Sequence, residues 1–67
     1  MPAVSSSAIS WIDYDAEKKT LTVTFKSGNT YDYSGVSQDV ATAFLEAPRK
    51  GKFFARRIKD AYPSSQA

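Results

Sequence analysis

A cluster of basic residues near the C-terminus is the feature of this sequence most suited to binding chemistry. Residues 49–67 carry six Lys and Arg side chains against Asp60 alone, whereas residues 1–48 carry three Lys side chains against six acids. Arg pairs with phosphate oxygens in a planar, bidentate geometry, and Lys acts as a point charge. A solvated helix face has the same pattern, so both readings stay open. The candidate nucleic-acid-binding residues are Arg49, Lys50, Lys52, Phe53, Arg56, Arg57 and Lys59.

Three aromatic residues outside this cluster are candidates for stacking on a nucleobase. Tyr31 and Tyr33 are separated by one residue, and Trp11 lies in an earlier apolar stretch. Exposed aromatics on an open sheet are typical of single-strand binders, whereas aromatics under a helical layer belong to the core. The role of these three side chains therefore depends on how the strands pair.

The residue types present give little support to catalysis or metal binding. The chain has no His and no Cys, which excludes the usual zinc ligands, a thiolate nucleophile and a Ser-His pair. Asp13, Asp15 and Glu17 cluster in sequence, but no partnered base accompanies them, and we interpret them as a solvated turn. We expect a protein that is not an enzyme and that has no metal and no cofactor.

Three segments have strand patterns. The second alternates strictly, with Leu21, Val23 and Phe25 on one face and mainly threonines on the other, which predicts one buried and one exposed face. The first is rich in β-branched and aromatic residues, but its pattern does not decide which of its faces is buried. The predicted strands cover residues 8–14, 20–26 and 30–34.

The turn between the second and third predicted strands allows two registers. With a two-residue turn, Tyr31 and Tyr33 join the threonine face. With a three-residue loop that places Gly28 in the left-handed conformation, the tyrosines lie opposite Val23 and Leu21 and join the core face. We favour the second register because it enlarges a small core. The tryptophan of the first strand is then the best candidate for an exposed aromatic.

Two helices are predicted after the strands. Ser37 has the residue type of an N-cap, and apolar residues then recur every three or four positions until Pro48 ends the helix. A second helix is predicted from about residue 50 to Tyr62, before Pro63. The fold class is therefore α+β, a three-stranded antiparallel meander followed by two short helices packed on one face, in the order βββαα.

The second predicted helix would present part of the basic cluster as one stripe. On an α-helical wheel, Lys52, Arg56 and Lys59 align at positions i, i+4 and i+7, and Arg57 and Phe53 flank them. The apolar residues of the helix lie on the opposite side. Binding through such a stripe would be sensitive to salt and tolerant of sequence.

One small domain is expected from the length of 67 residues. We divide the chain into a flexible lead-in (residues 1–7), the domain (residues 8–62) and a flexible tail (residues 63–67). No apolar run is long enough to span a bilayer, and the first residues lack the apolar stretch of a signal peptide. We therefore expect a soluble, cytoplasmic protein without membrane contact. An exposed edge strand is compatible with a monomer or a weak homo-oligomer.

An ordered set of residues carries a resemblance to a known family. After the alternating second strand come the Tyr-x-Tyr motif of Tyr31 and Tyr33, then Gly35-Val36, Ala47, Gly51, Phe53-Phe54, Ile58 and Tyr62. In this order the chain resembles the KTSC domain over about residues 5–62. That domain is named for the C-terminus of some lysyl-tRNA synthetases and also occurs alone in bacterial and phage proteins. Three positions depart from the usual family pattern: Ser37 replaces Pro, Arg49 replaces Ser, and Ala55 replaces Asn.

The resemblance implies a binding module, not an enzyme, and the synthetase fusion suggests RNA as the ligand. Together with the basic cluster, it leads us to expect a small module that binds RNA or another nucleic acid. The alternative is a protein–protein interaction module, for example a phage or bacterial accessory factor that docks on a larger machine. Exposed Trp11 or tyrosine side chains would then anchor the partner.

Overall fold

The computed structural model describes residues 8–67, and the lead-in predicted for residues 1–7 lies outside them. The described residues form an α+β domain in which two consecutive helical segments are inserted between the third and fourth strands of an antiparallel sheet. Neighbours along the chain are also neighbours in the sheet, in the order β1-β2-β3-β4. The elements are β1 (Ile9–Asp15), β2 (Thr20–Phe25), β3 (Thr30–Ser34), α1 (Gln38–Glu46), α2 (Lys50–Phe53), a π-helical turn (Phe54–Ile58) and β4 (Ser64–Gln66).

Strand β2 separates the two faces of the sheet as its alternation predicts. Leu21 and Val23 are fully buried beneath the helices. The threonines of the strand lie on the opposite face, called here the outer face, where two of their three hydroxyls bond across to β3. The Thr22 hydroxyl donates to the Asp32 carboxylate over 2.7 Å, and the next threonine along the strand bonds a threonine of β3 over 3.0 Å.

The β2–β3 hairpin adopts the core register that the sequence favours. Leu21 lies opposite Tyr33, and Val23 lies opposite Tyr31. The connecting loop has three residues: the Gly28 amide donates to the Phe25 carbonyl over 2.9 Å. Gly28 has φ +102°, a conformation that glycine adopts without a steric penalty. The prediction that both tyrosines join the core face is confirmed.

A β-bulge in β1 decides the facing that the sequence left open. Ile9 pairs with Phe25, but Trp11 pairs with Thr24, so the register shifts between Ile9 and Trp11. The extra residue allows Ile9 and Ile12 to be fully buried although they are three positions apart. Trp11 shares the outer face with Thr24 and is half-buried there.

Within residues 8–67 the sheet has four strands, which corrects the prediction of three. The fourth strand, β4, comes from the C-terminal segment that we expected to form a tail, and its three residues are exposed. Backbone hydrogen bonds attach it to the edge of β3, among them the Ser34 amide to the Pro63 carbonyl over 3.0 Å. Because neither face of β4 is buried, the segment has no alternating pattern by which to recognise it.

Helix α1 begins as predicted, at the N-cap Ser37, whose hydroxyl accepts from the Val40 amide over 3.3 Å. The second helical segment differs from the prediction. Its α-helical part ends at Phe53, and the π-helical turn that continues it ends at Ile58, before the predicted boundary at Tyr62. The Lys59 amide closes this turn on the Phe54 carbonyl, five residues earlier, over 2.9 Å. No helix within residues 8–67 has both the length and the apolar character needed to cross a bilayer.

The core lies between the helices and one face of the sheet and is centred on Phe54. The Phe54 ring meets Phe25 and Tyr33 edge-on, at centroid distances of 5.2 and 5.4 Å, and lies 6.4 Å from Phe44 of α1. Such edge-to-face pairs add to the stabilisation from apolar burial. Val36 and Ile58 are fully buried beside them.

The hairpin loop provides a test of the Gly28 conformation. A Cβ added at Gly28 would meet no heavy atom within 4 Å, so the cost of Gly28→Ala is backbone strain at φ +102°. We expect the free energy of unfolding to fall by about 1–2 kcal/mol. Urea denaturation measures it, with Ser27→Ala in the same exposed loop as the control. Equal unfolding free energies for the two variants would contradict the left-handed conformation of Gly28.

Candidate nucleic-acid interface

A shallow groove opens on the helical layer where α1 connects to α2. Its volume is about 400 Å³. The connection brings the end of α1 beside α2 because Pro48 cannot continue the first helix. The lining residues are Ala47, Pro48, Arg49, Lys52, Phe53, Arg56 and Arg57.

The floor of the groove contains an ordered aromatic side chain. Phe53 is half-buried, and its ring lies nearly parallel to Phe44, with centroids 5.6 Å apart and an interplanar angle of 17°. The guanidinium carbon of Arg57 lies over the Phe53 ring, 5.4 Å from its centroid. These three side chains are called here the Phe44–Phe53–Arg57 stack.

The rim of the groove is uniformly positive. Arg49, Lys52, Arg56 and Arg57 are all exposed. Residues 47–59 include no Asp or Glu, so no acidic neighbour in this segment offsets the charge. The groove therefore combines an apolar floor with a cationic rim, an arrangement suited to a ligand that has both phosphate groups and a planar apolar part.

The structure brings together five of the seven predicted nucleic-acid-binding residues: Arg49, Lys52, Phe53, Arg56 and Arg57 line the groove. Lys50 has a different position, since its ammonium donates to the Ala47 carbonyl over 2.9 Å and satisfies the C-terminal end of α1. Lys59 is exposed but does not line the groove.

The π-helical turn explains why Lys59 lies apart. The predicted stripe assumes 3.6 residues per turn, which aligns Lys52 with Lys59 seven positions later. A π-helical turn closes its hydrogen bond one residue later than an α-helical turn, so side chains beyond it lag in rotation. Arg57 lies over Phe53, four positions earlier, as i, i+4 pairs on a helix do, and Lys59 lies outside the groove that Lys52 and Arg56 line.

The other aromatic candidates lie away from the groove. Tyr33 is buried against Phe54 and has no free face for a base. Tyr31 is half-buried on the same core face, edge-on to Phe25 with centroids 6.0 Å apart. Trp11 is half-buried on the outer face of the sheet. Phe53 is therefore the aromatic residue that can meet a ligand beside the cationic rim.

Sequence reasoning missed two groove residues, Ala47 and Pro48, because neither side chain is polar or aromatic. Only their position in the sequence could have indicated them. Pro48 ends α1 directly before Arg49, so the helix-breaking residue and the first cation of the cluster had to lie together. Phe44 was also missed as the side chain that supports Phe53 from behind.

The acidic turn has a local structural role. The Asp15 carboxylate accepts from the amides of Glu17 and Lys18, each over 3.1 Å, and the Asp13 carboxylate accepts from the Tyr14 amide over 3.0 Å. Such bonds are typical of Asp side chains in turns. Within residues 8–67, no three His, Cys, Asp or Glu side chains are grouped so that they could hold a metal ion.

One ionisable group in the core is perturbed. Burial raises the pKa of the Tyr33 phenol above its ordinary value of 10.0, and the nearby Tyr31 and Asp60 raise it further because a phenolate would be repelled by their negative charge. The perturbation belongs to the packing of Tyr33 under the helices, since this side chain lies outside the groove.

An antiparallel sheet with two short helices on one face and a basic groove beside their connection defines the class as a small α+β domain. The chain belongs to the KTSC domain family, whose model matches residues 5–62. This confirms the resemblance noted in the sequence. The fourth strand and the residues after it lie beyond the matched segment.

Three relatives illustrate how the domain occurs. A crystal structure of a KTSC domain protein from Yersinia pestis superposes with a TM-score of 0.93 and 36% identity, covering 98% of this chain and 93% of that one. An uncharacterized protein from Stutzerimonas stutzeri (strain A1501) is 39% identical over 57 residues, 85% of this chain and 80% of the relative. A lysine–tRNA ligase from Nostoc punctiforme is 35% identical over 60 residues, which is 90% of this chain but only 11% of the ligase.

The raised pKa of Tyr33 predicts an alkaline limit to stability. The folded protein holds the phenol proton more tightly than the unfolded chain, so this contribution is fully present below the unfolded pKa of about 10 and is lost as the pH rises through the folded pKa. We expect the free energy of unfolding of Tyr33→Phe to decline less steeply above about pH 10 than that of the wild type. Urea denaturation at a series of pH values measures this. The difference in unfolding free energy between the variant and the wild type at pH 7 is the internal control. Equal slopes would contradict the burial of the phenol.

Proposed function

We propose that this protein is a non-enzymatic RNA-binding module that holds the phosphate backbone in the groove between α1 and α2. The observation that carries the proposal is the groove itself. Four exposed cations surround Phe53 there, and the segment that supplies them contains no acid. Cationic side chains that contact phosphates release counterions from the nucleic acid, which drives binding without reading its sequence.

The kinds of cation on the rim favour a phosphate ligand. Three of the four are arginines, whose guanidinium groups match two phosphate oxygens at once. Arg49 is one of them, and it stands where the family pattern usually has Ser. This chain therefore has one more cation on its groove than that pattern provides.

The similarity to part of a lysine–tRNA ligase supports RNA as the polymer, because the name of that relative includes tRNA. The matched segment is a small part of the ligase, so the similarity supports a binding role rather than the whole ligase reaction. Of the acids considered for catalysis, Asp15 accepts from two amides of its turn and Asp13 from the Tyr14 amide, which also supports a non-enzymatic role.

A protein-interaction module is the second candidate, favoured by the outer face of the sheet. Trp11 is half-buried on this face beside threonines, and the helices pack on the opposite face. Aromatic anchors of this kind dominate many protein interfaces. Capture of partners from lysate with and without nuclease separates the two candidates: partners retained after nuclease and lost in Trp11→Ala would favour this one.

Titration with tRNA and with a single-stranded RNA at about 50 and about 200 mM salt tests RNA binding. If all four rim cations contact phosphates, the affinity for the single strand should fall up to roughly fifty-fold between the two conditions. Arg49→Glu/Arg56→Glu should lower the affinity at least about ten-fold and flatten the salt dependence, because it removes two contacts and adds two repulsions.

Lys18→Glu/Lys26→Glu is the matched control for that variant. It changes the net charge by the same amount at exposed positions outside the groove. We expect it to retain most of the affinity. If the two double variants weaken binding equally, the net charge and not the groove controls the interaction. Absence of binding by the wild type at low salt would refute the proposed function.

A further inference from the structure

The floor of the groove has a property that phosphate binding alone does not use. The cations that would bind phosphates lie on the rim. Between them lies an apolar surface made by Ala47, Pro48 and the half-buried ring of Phe53. A ligand that offered only phosphates would leave this surface in contact with water. The floor therefore matches a second, planar and apolar part of the ligand.

Phe53 is held in place for such a contact. Its parallel packing on Phe44 fixes the plane of the ring, and Phe44 is itself fully buried against Phe54. The exposed guanidinium of Arg57 lies over the Phe53 ring, 5.4 Å from its centroid. A contact of this kind at an exposed site is weak, so a better stacking partner can displace it.

The size of the groove fits a single nucleotide. Its volume of about 400 Å³ lies at the lower end of the range of small-ligand sites, about 300–1,000 Å³. A duplex has its bases stacked inside and presents mainly its backbone to a shallow groove. An unpaired nucleotide presents the face of its base together with its phosphate.

Resting on the proposed function, we propose that the groove selects single-stranded RNA by stacking one unpaired nucleobase on Phe53, in the layer that the Arg57 guanidinium occupies in the free protein. The displaced guanidinium then pairs with a phosphate beside the bound base. Arg57 thus covers the aromatic face when the groove is empty and contributes its charge when the groove is filled. Stacking of this kind accepts any of the four bases, so selection is for an unpaired base.

The closing experiment separates stacking from charge by the choice of RNA. The wild type is titrated with a short single-stranded oligoadenylate, with an abasic strand of the same length and phosphate number, and with a duplex of that length. We expect oligoadenylate to bind at least about five-fold more tightly than the abasic strand, which is the lower end for one base–aromatic stack. The Phe53 ring resonances should shift with oligoadenylate and not with the abasic strand.

Two leucine variants test the assignment to Phe53. Phe53→Leu should bind oligoadenylate and the abasic strand equally, because the ring is lost while the rim charges remain. Phe25→Leu removes another half-buried ring that packs on Phe54 outside the groove, and it should retain the preference. Thermal unfolding checks that each variant is folded. If a variant is unfolded, the affinities of the wild type for oligoadenylate and for the abasic strand still decide whether a base stacks in the groove.

Arg57→Lys tests the displacement. It retains the charge but removes the planar guanidinium, so the preference for oligoadenylate over the abasic strand should be retained. Loss of that preference would show that the base stacks on the guanidinium itself and would overturn the displacement. Equal binding of the two strands by the wild type, or an unchanged preference in Phe53→Leu, would overturn the inference while RNA binding stands. Absence of binding to every RNA would refute the proposed function with it.

Discussion

The packing of Phe54 is the interaction on which the rest of the structure depends, because this ring joins the sheet to both helical segments. It meets Phe25 and Tyr33 of the sheet at 5.2 and 5.4 Å and Phe44 of α1 at 6.4 Å. Edge-to-face contacts fix the orientation of a ring as well as its distance, so they set how the second helix lies on the sheet. Once Phe54 is buried, its neighbour Phe53 has to project from another side of the helix, and there its ring packs on the buried Phe44 of α1.

The π-helical turn that begins at Phe54 carries both buried core residues and exposed cations. Within it, Phe54 and Ile58 are both buried, so the turn keeps its apolar residues on the sheet while its wider winding changes the direction of the cations. Arg57 then lies over Phe53, and Lys59 leaves the groove. Single π-helical turns are found frequently at functional sites, and here the turn supplies Arg56 and Arg57 beside the half-buried ring of Phe53. The chemistry of the groove is thus supported by rigid packing on its inner side.

Prediction from sequence succeeded where a local pattern carries the information and was wrong where the geometry depends on irregular backbone. The alternation of Leu21 and Val23, together with a glycine at the end of a three-residue loop, was enough to predict the hairpin register. A β-bulge breaks the parity of β1, so the facing of Trp11 could not be predicted, and β4 buries no side chain that would reveal it. The basic cluster could be recognised in the sequence, but which of its residues line the groove could not. Whether Lys50 faces a ligand or the carbonyl at the end of α1 depends on where that helix stops.

The charge distribution gives a domain with a net charge of only +2 a locally positive groove. Asp13 and Asp32 lie on the outer face of the sheet, whereas the groove cations lie in the helical layer on the other side. At physiological ionic strength the screening length is about 8 Å, roughly a third of the smallest extent of the domain, 23 Å. The acids of the sheet therefore do little to weaken the potential at the groove, which is set by its own cations. The same screening limits that potential to short range, so under the proposed function it would draw phosphates only to the rim, and a preference for one kind of RNA would have to come from the apolar floor beneath.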